Sequence, residues 1–347
     1  MSQRLQSLDA MRGLTVALMI LVNNGVGHNQ FHQLQHSQWN GLTLCDLVVP
    51  FVLFMVGVSV WLSRNRLTPK KILSRTVKLF LVGVLLHVWD MLLDGQWQFW
   101  HELRVGGVLQ RIALCYCAAA FIVMKDTSVR QIIGLIVLAL VAYTAILVWG
   151  NGYAQDASSL LCRADRTLFG EAHLYHKSPI DPEGLLSTLP SIAHTLIGVL
   201  TARAITAVAS AETRISIAKK ATLMLAAGLL LSLWLPLNKR IWSPSYVLVT
   251  CALATLLLVA LIRLEKRGFN SPTLFTAFGM NAFFLYVLSE MLSPVMSHLG
   301  VNLITYETML SGGLDPRMAS LVYALLFDGL IALAAWWLWK RKIFVKI

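Results

Sequence analysis

Apolar residues run through this chain in blocks of about twenty, separated by short polar or basic stretches. The blocks show neither the alternation of a half-buried strand nor the single apolar stripe of a soluble helix. They occupy roughly 8–24, 43–63, 74–91, 105–124, 130–149, 185–208, 219–236, 244–262, 273–291 and 319–339. About twenty residues at helical rise match the hydrocarbon thickness of a bilayer. The pattern predicts an all-α polytopic membrane protein with about ten transmembrane helices, forming one domain over 1–347. The first block is expected to remain a span rather than to be cleaved as a signal peptide. It contains Asp9 and Arg12, ends in Asn23 and Asn24, and has no small-residue cleavage site.

Composition agrees. The chain is 57% hydrophobic and 13% charged, whereas soluble domains are about half apolar and about a quarter charged. A net charge of +12 would suit a nucleic-acid partner, but no nucleic-acid-binding motif accompanies it. The charge lies between the apolar blocks, where it meets the cytoplasm and anionic lipid. With the N-terminus inside, only Arg104, Arg111, Arg163, Arg166, Lys177, Lys239, Arg240 and Arg317 of the 29 Lys and Arg fall outside or in the outer half. An even number of spans returns the basic C-terminal tail to the same side, giving an N-in/C-in topology. Four of the five cysteines (Cys45, Cys115, Cys117 and Cys251) lie in or beside apolar blocks, and only Cys162 lies in a long polar loop. A disulfide framework is not expected.

Ionisable and amide side chains inside spans are costly and point to function. They gather at the outer ends of the blocks. Asn23 closes the first, and His36, Trp39, Asn40 and Asp46 lead into the second. Gln110 and Arg111 lie in the fourth, Asn238 and Lys239 between the seventh and eighth, and Asn281 and Glu290 in the ninth. The loop over 150–184 adds Asp165, His173, Asp181 and Glu183. Together these predict a polar pocket open to the outer face. The residues alone leave structural roles open beside functional ones. Asn23 can cap a helix end, Arg111 can pair with Asp328 or Glu290, and Asp181 can cap the sixth span. Asp9 and Arg12 sit three apart as an intrahelical pair. His28, His32 and His36 recur every four residues, but Gly25 and Gly27 favour a loop there and no zinc motif accompanies them, so no metal is expected.

Two long stretches carry a resemblance. SLDAMRGLTVALMILVNN at 7–24, followed by HSQWNGLTLCDLVVPFVLFMVG at 36–57, is similar to the heparan-α-glucosaminide N-acetyltransferase family. So, in order, are RVGGVLQRIALCY at 104–116, HLYHKSPIDPEGLLSTLPSIAHTLIGVL at 173–200, PLNKRIWSPSYVL at 236–248 and FGMNAFFLYVLSE at 278–290. The resemblance implies a transmembrane enzyme that takes acetyl-CoA on the cytoplasmic side and acetylates the amino group of a terminal glucosamine on the other side. It makes His36, before WNGLT, the functional histidine and Asn23 the functional asparagine. It also implies a homodimer. The large luminal region of the animal lysosomal members does not precede these blocks here. The expectation is therefore a bacterial inner-membrane enzyme acting on a cell-wall or chitin-derived amino sugar.

Within that frame His36 serves as general base or as acetyl-accepting nucleophile, two routes the sequence leaves open. Asp46 orients His36, and Asn23 or Asn281 donates to the oxyanion. Trp39, Asn40, Arg111, Asp165, His173, Glu183, Asn238, Asn281 and Glu290 are the expected acceptor contacts. Arg12, Lys71, Arg75 and Lys78, on the basic inner side, are the expected contacts of the polyanionic CoA end. Three rivals stand beside this reading: a secondary transporter of a sugar or amino sugar, an O-acetyltransferase of a periplasmic glycan, and a non-catalytic scaffold. Acetyl-CoA turnover separates the first, hydroxylamine-labile product the second, and tolerance of Ala at Asn23, His36 and Asp46 the third.

Overall fold

The computed structural model describes residues 6–27, 30–207, 210–268 and 273–345. Among these every extended regular element is helical. The helices are α1 (Gln6–Asn23), α2 (Leu44–Leu62), α3 (Pro69–Leu93), α4 (Val108–Met124), α5 (Val129–Trp149), α6 (Leu160–Phe169), α7 (Thr188–Ala207), α8 (Ala211–Leu231), α9 (Pro244–Lys266), α10 (Thr273–Met280), α11 (Ala282–His298), α12 (Val301–Ser311) and α13 (Pro316–Lys340). One helix runs through the middle of each expected block but that at 273–291, which holds two. Six of them (α2, α3, α5, α7, α9 and α13) are long and apolar enough to cross a membrane, and α4 is apolar but shorter. The block at 273–291 is not one straight span. It breaks at Asn281, and α10 and α11 meet at 87°. Counted as one crossing, that pair makes seven. This is a multi-pass membrane protein. The short helices α6 and α12 carry no long apolar run and were not expected.

Helix starts follow local chemistry. Thr43, Thr68, Ser128 and Ser243 accept from backbone N–H groups of the first turns of α2, α3, α5 and α9. Pro69, Pro244 and Pro316 open α3, α9 and α13, where a missing N–H costs nothing.

The core is built from close helix pairs, chiefly α2 with α7, α8 with α9, α1 with α10 and α3 with α4. Two of these crossings depend on glycine. A Cβ on Gly57 would sit 1.9 Å from the Thr195 carbonyl oxygen, and one on Gly198 would sit 2.2 Å from that of Phe54. The same reciprocity joins α1 to α10 through Gly13 and Gly279. Without a hydrophobic drive between helices in lipid, such close backbone approach supplies the packing. Outward surfaces are apolar instead, as at Leu85, Leu138, Leu223 and Leu333. Asn281, 1% exposed, donates to Ile343 O at 3.0 Å and accepts from Val345 N at 2.9 Å. The tail after α13 thus satisfies the Asn281 side chain at the break.

Candidate active site

The ends of α1, α3 and α11 and the starts of α2 and α4 surround a cavity of about 770 Å³. His36 lies on its wall, on the loop just before α2. The first turn of α2 forms a capping box, with Thr43 and Asp46 satisfying each other's backbone N–H groups. That box uses one carboxylate oxygen. Asp46 Oδ2 accepts from Thr43 N, Thr43 Oγ1 and Ser37 N at 3.1–3.2 Å. The other, Oδ1, lies 2.8 Å from His36 Nδ1. Asp46 is fully buried, whereas the His36 side chain is 51% exposed. A buried carboxylate on Nδ1 fixes the proton there and leaves Nε2 with its lone pair.

A second loop closes on the first. Asn238 donates from Nδ2 to Asn40 Oδ1 at 3.1 Å and accepts at Oδ1 from Ile241 N, and Gly41 N donates to Leu237 O at 2.8 Å. The turn also holds buried Trp242 at φ +54, a strained conformation for a large side chain. This latch carries Lys239 onto the imidazole: Nζ lies 2.9 Å from Nε2 and 3.0 Å from Nδ1. Burial lowers the Lys239 pKa from the usual lysine range. Cys45 Sγ completes the cluster at 3.1 Å from Nδ1.

A histidine between a buried carboxylate and a lysine, facing a large cavity, suits proton transfer or nucleophilic attack. The family profile described as heparan-alpha-glucosaminide N-acetyltransferase, catalytic, matches residues 4–235, which include His36 and Asp46. The chain belongs to this family. Two curated relatives carry the name heparan-alpha-glucosaminide N-acetyltransferase. The mouse protein is 27% identical over 413 residues, covering 100% of this chain and 61% of its own length. The human protein is 26% identical over 410 residues, covering 99% and 60%. The chain therefore spans about three-fifths of the length of these N-acetyltransferases.

In this member of the N-acetyltransferase family the expected residues divide. Asn23, His36 and Glu290 line one cavity, and Asn23 Nδ2 donates to Glu290 Oε1 at 3.2 Å. Asn40 and Asn238 form the latch beneath His36. Trp39 packs against the apolar cluster of Tyr143, Leu161 and Ile241. Arg104, which the sequence reading left without a role, lies on the cavity wall. It bonds Asp181 at 2.6 Å and Glu183 at 2.7 Å and stacks on Tyr175. Burial pushes the Asp181 pKa up, but the Arg104 hydrogen bond and charge outweigh it and leave the carboxyl below its usual range. Glu183 is thus a partner of Arg104, and His173 bonds the Leu103 carbonyl at 2.8 Å.

The other expected residues lie elsewhere in the structure. Asn281 lies at the α10–α11 break, bonded to the C-terminal tail, not in the cavity. Asp165 is 2% exposed, accepts from Leu185 N at 2.9 Å, and sits where Gly184 leaves room for it. Burial raises its pKa to about 6. Through that bond it holds the start of α7. Arg111 pairs with neither Asp328 nor Glu290. Its guanidinium donates to Gly184 O and Ser187 Oγ and lies 5.0 Å from the Trp242 ring centroid. Lys71, Arg75 and Lys78 are exposed along one face of α3 at the end remote from the cavity, with Arg75 over Tyr116. Arg12 bonds Asp9 and Ser59. His28 lies outside the described residues. Among those described, no group of three His, Cys, Asp or Glu could hold a metal ion.

Cys45 and Arg104 are site groups that sequence reasoning missed, and Lys239, expected in the outer polar pocket, was given no role there. The NKRIW turn gave a signal in retrospect. A lysine beside a capping asparagine on the sparsely basic side has no topological reason to be there.

Proposed function

We propose that the protein is a transmembrane acetyltransferase that moves the acetyl group of cytoplasmic acetyl-CoA to the amino group of a glucosamine-type sugar on the outer face of a bacterial inner membrane. The observation that carries this is the His36–Asp46–Lys239 cluster facing the cavity, in a chain of this family. In the proposed topology about ten segments cross with both termini inside, so the cavity opens outward. The exposed basic face of α3 meets the CoA nucleotide end on the inner side.

The overall reaction converts an ammonium and a thioester into an amide, a thiol and one free proton. The ammonium first loses a proton. The neutral amine then forms the C–N bond as the C–S bond breaks, and its second proton passes through His36 to the CoA sulfur. Asp46 holds Nδ1–H and stabilises the imidazolium that forms on the way. Lys239 supplies positive charge beside Nε2, where the carbonyl oxygen becomes an oxyanion. Asn23, whose amide donor is turned to Glu290, is less suited to that task. In the two-step variant His36 first accepts the acetyl group and passes it to the amine.

The test is purified full-length protein in detergent with labelled acetyl-CoA and glucosamine, wild type against His36→Ala. Labelled N-acetylglucosamine from the wild type alone is the expected result. Acetyl-CoA left unconsumed by the wild type with every amino sugar supplied overturns the reading. Label retained on the protein without amine selects the two-step route.

A further inference from the structure

In the proposed transfer an acceptor amine comes to His36 Nε2, and that position is already held by an amine of the chain itself. Lys239 Nζ lies 2.9 Å from Nε2 and 3.0 Å from Nδ1. Asp46 Oδ1, at 2.8 Å, takes the proton on Nδ1, so Nε2 is the acceptor that Lys239 meets. A nitrogen that donates to Nε2 is one from which Nε2 can remove a proton. The fold keeps the lysine there. Asn238, the residue before it, binds Asn40 Oδ1 and Ile241 N through its side chain. Its backbone N donates to Ser243 Oγ at 3.1 Å, and its carbonyl accepts from Ser243 N at 3.0 Å. No carboxylate among the described residues forms an ion pair with Lys239. The side chain is only partly buried.

The groups around this imidazole differ in what an acetyl group would become on them. On His36 it would be an acyl-imidazole, and on Cys45, 3.1 Å from Nδ1, a thioester. Both remain activated and can pass the acetyl on. On Lys239 it would be an amide, which stays.

We propose that Lys239 is a self-acetylation site, modified by the chain's own chemistry when acetyl-CoA is bound and no acceptor is present, and that the modification switches the enzyme off. The inference rests on the acetyltransferase reading for the identity of the donor. Lys239 first loses its ammonium proton to solvent. Nζ then attacks the thioester carbonyl, and the C–N bond forms as the C–S bond breaks. The second proton passes through His36 Nε2 to the CoA sulfur. Ammonium and thioester become amide, thiol and one free proton. Two features favour the step. Burial lowers the Lys239 pKa, which enlarges the neutral, nucleophilic fraction. An amine fixed beside the base also needs no encounter with it. Acetylation removes the lysine charge and sets a methyl and a carbonyl against the imidazole, where the acceptor amine would dock. A bound amino sugar takes the place of Nζ at Nε2 and protects it.

The experiment incubates full-length wild type in detergent with labelled acetyl-CoA, with and without glucosamine. Samples are treated with hydroxylamine, which strips acetyl from histidine and cysteine and leaves it on lysine, and the label is located by peptide mass spectrometry. Residual activity on glucosamine is followed in parallel. Lys71 and Lys177, both exposed, report uncatalysed acetylation. Without glucosamine, Lys239 is expected to acquire acetyl roughly tenfold or more faster than either, with activity falling in step, and glucosamine should slow both changes. His36→Ala of unchanged melting temperature should label Lys239 roughly tenfold or more slowly and leave Lys71 and Lys177 within about twofold. A wild type that acetylates glucosamine but labels Lys239 no faster than Lys71 overturns self-acetylation and leaves the transfer reading intact. Full acetylation of Lys239 with undiminished activity overturns the switch. Lys239 labelled through His36 in a protein that acetylates no amino sugar keeps the self-acetylation and sinks the sugar acceptor. A protein that consumes no acetyl-CoA sinks both.

Discussion

At the scale of single residues, Asp46 does two jobs with two oxygens. One closes the α2 capping box and the other faces His36. Asp46→Asn keeps the volume but offers an amide where Nδ1–H needs an acceptor. It is expected to lower kcat/KM roughly 100-fold or more, by analogy with loss of the orienting carboxylate in a triad. It should also weaken the helix start by about 1 kcal/mol. Steady-state kinetics beside thermal unfolding checks both. Asp165 gives the pH-dependent case. Its pKa is raised from 3.8 to about 6 by burial, so the folded state binds this proton more tightly than the unfolded state. Its charge therefore destabilises above about pH 6, and the penalty is relieved as pH falls from 6 towards 4. Asp165→Asn keeps an acceptor for Leu185 N. It should raise stability at pH 8, on the order of 2 kcal/mol, and change little at pH 4. Equal effects at both values, read from thermal unfolding, would sink this account.

How far these residues were legible depended on distance along the chain. His36 and Asp46 are ten apart, and the TLCD sequence announces a capped helix start directly after the histidine. Lys239 reaches His36 only because Asn238 binds Asn40, a contact between loops some two hundred residues apart. Nothing in either loop alone encodes that. Asp165 and Glu183 were expected to meet the acceptor because they lie in a polar loop on the outer side. That loop folds inward, with α6 burying one acid and Arg104 taking the other. The break at Asn281 was not legible, because an apolar block carries no mark of a break in its middle.

At the scale of elements, the apolar blocks located the helices but not their depth of contact. Gly57 and Gly198 set the α2–α7 crossing, and α2 carries Asp46 at its start. Gly57→Leu forces these backbones apart and is expected to cost about 1–3 kcal/mol or more. Because the displaced helix begins at the site, activity should fall with stability. A Gly57→Leu protein that melts like the wild type in detergent contradicts the crossing. Gly134, with open space around it, provides the contrasting position, where Ala should be tolerated.

For the whole molecule, the basic residues mark one end of the bundle and the cavity the other. The ends of α9 and α13 and the starts of α3 and α8 carry Lys and Arg, while His36, Asp90 and Glu290 cluster oppositely. If the basic end faces the cytoplasm, Lys177→Cys should react in intact cells with a membrane-impermeant maleimide. Lys71→Cys should react only after the cells are opened. Both side chains are exposed. The reverse pattern would invert the topology and turn the cavity inward.

The capping box has one more consequence. Because one side chain both starts α2 and orients the imidazole, the stretch from His36 to Asp46 behaves as a cassette. A protein engineer grafting it onto another helix start would carry over the histidine geometry together with the fold signal. The graft would still lack the lysine, which a second loop would have to deliver.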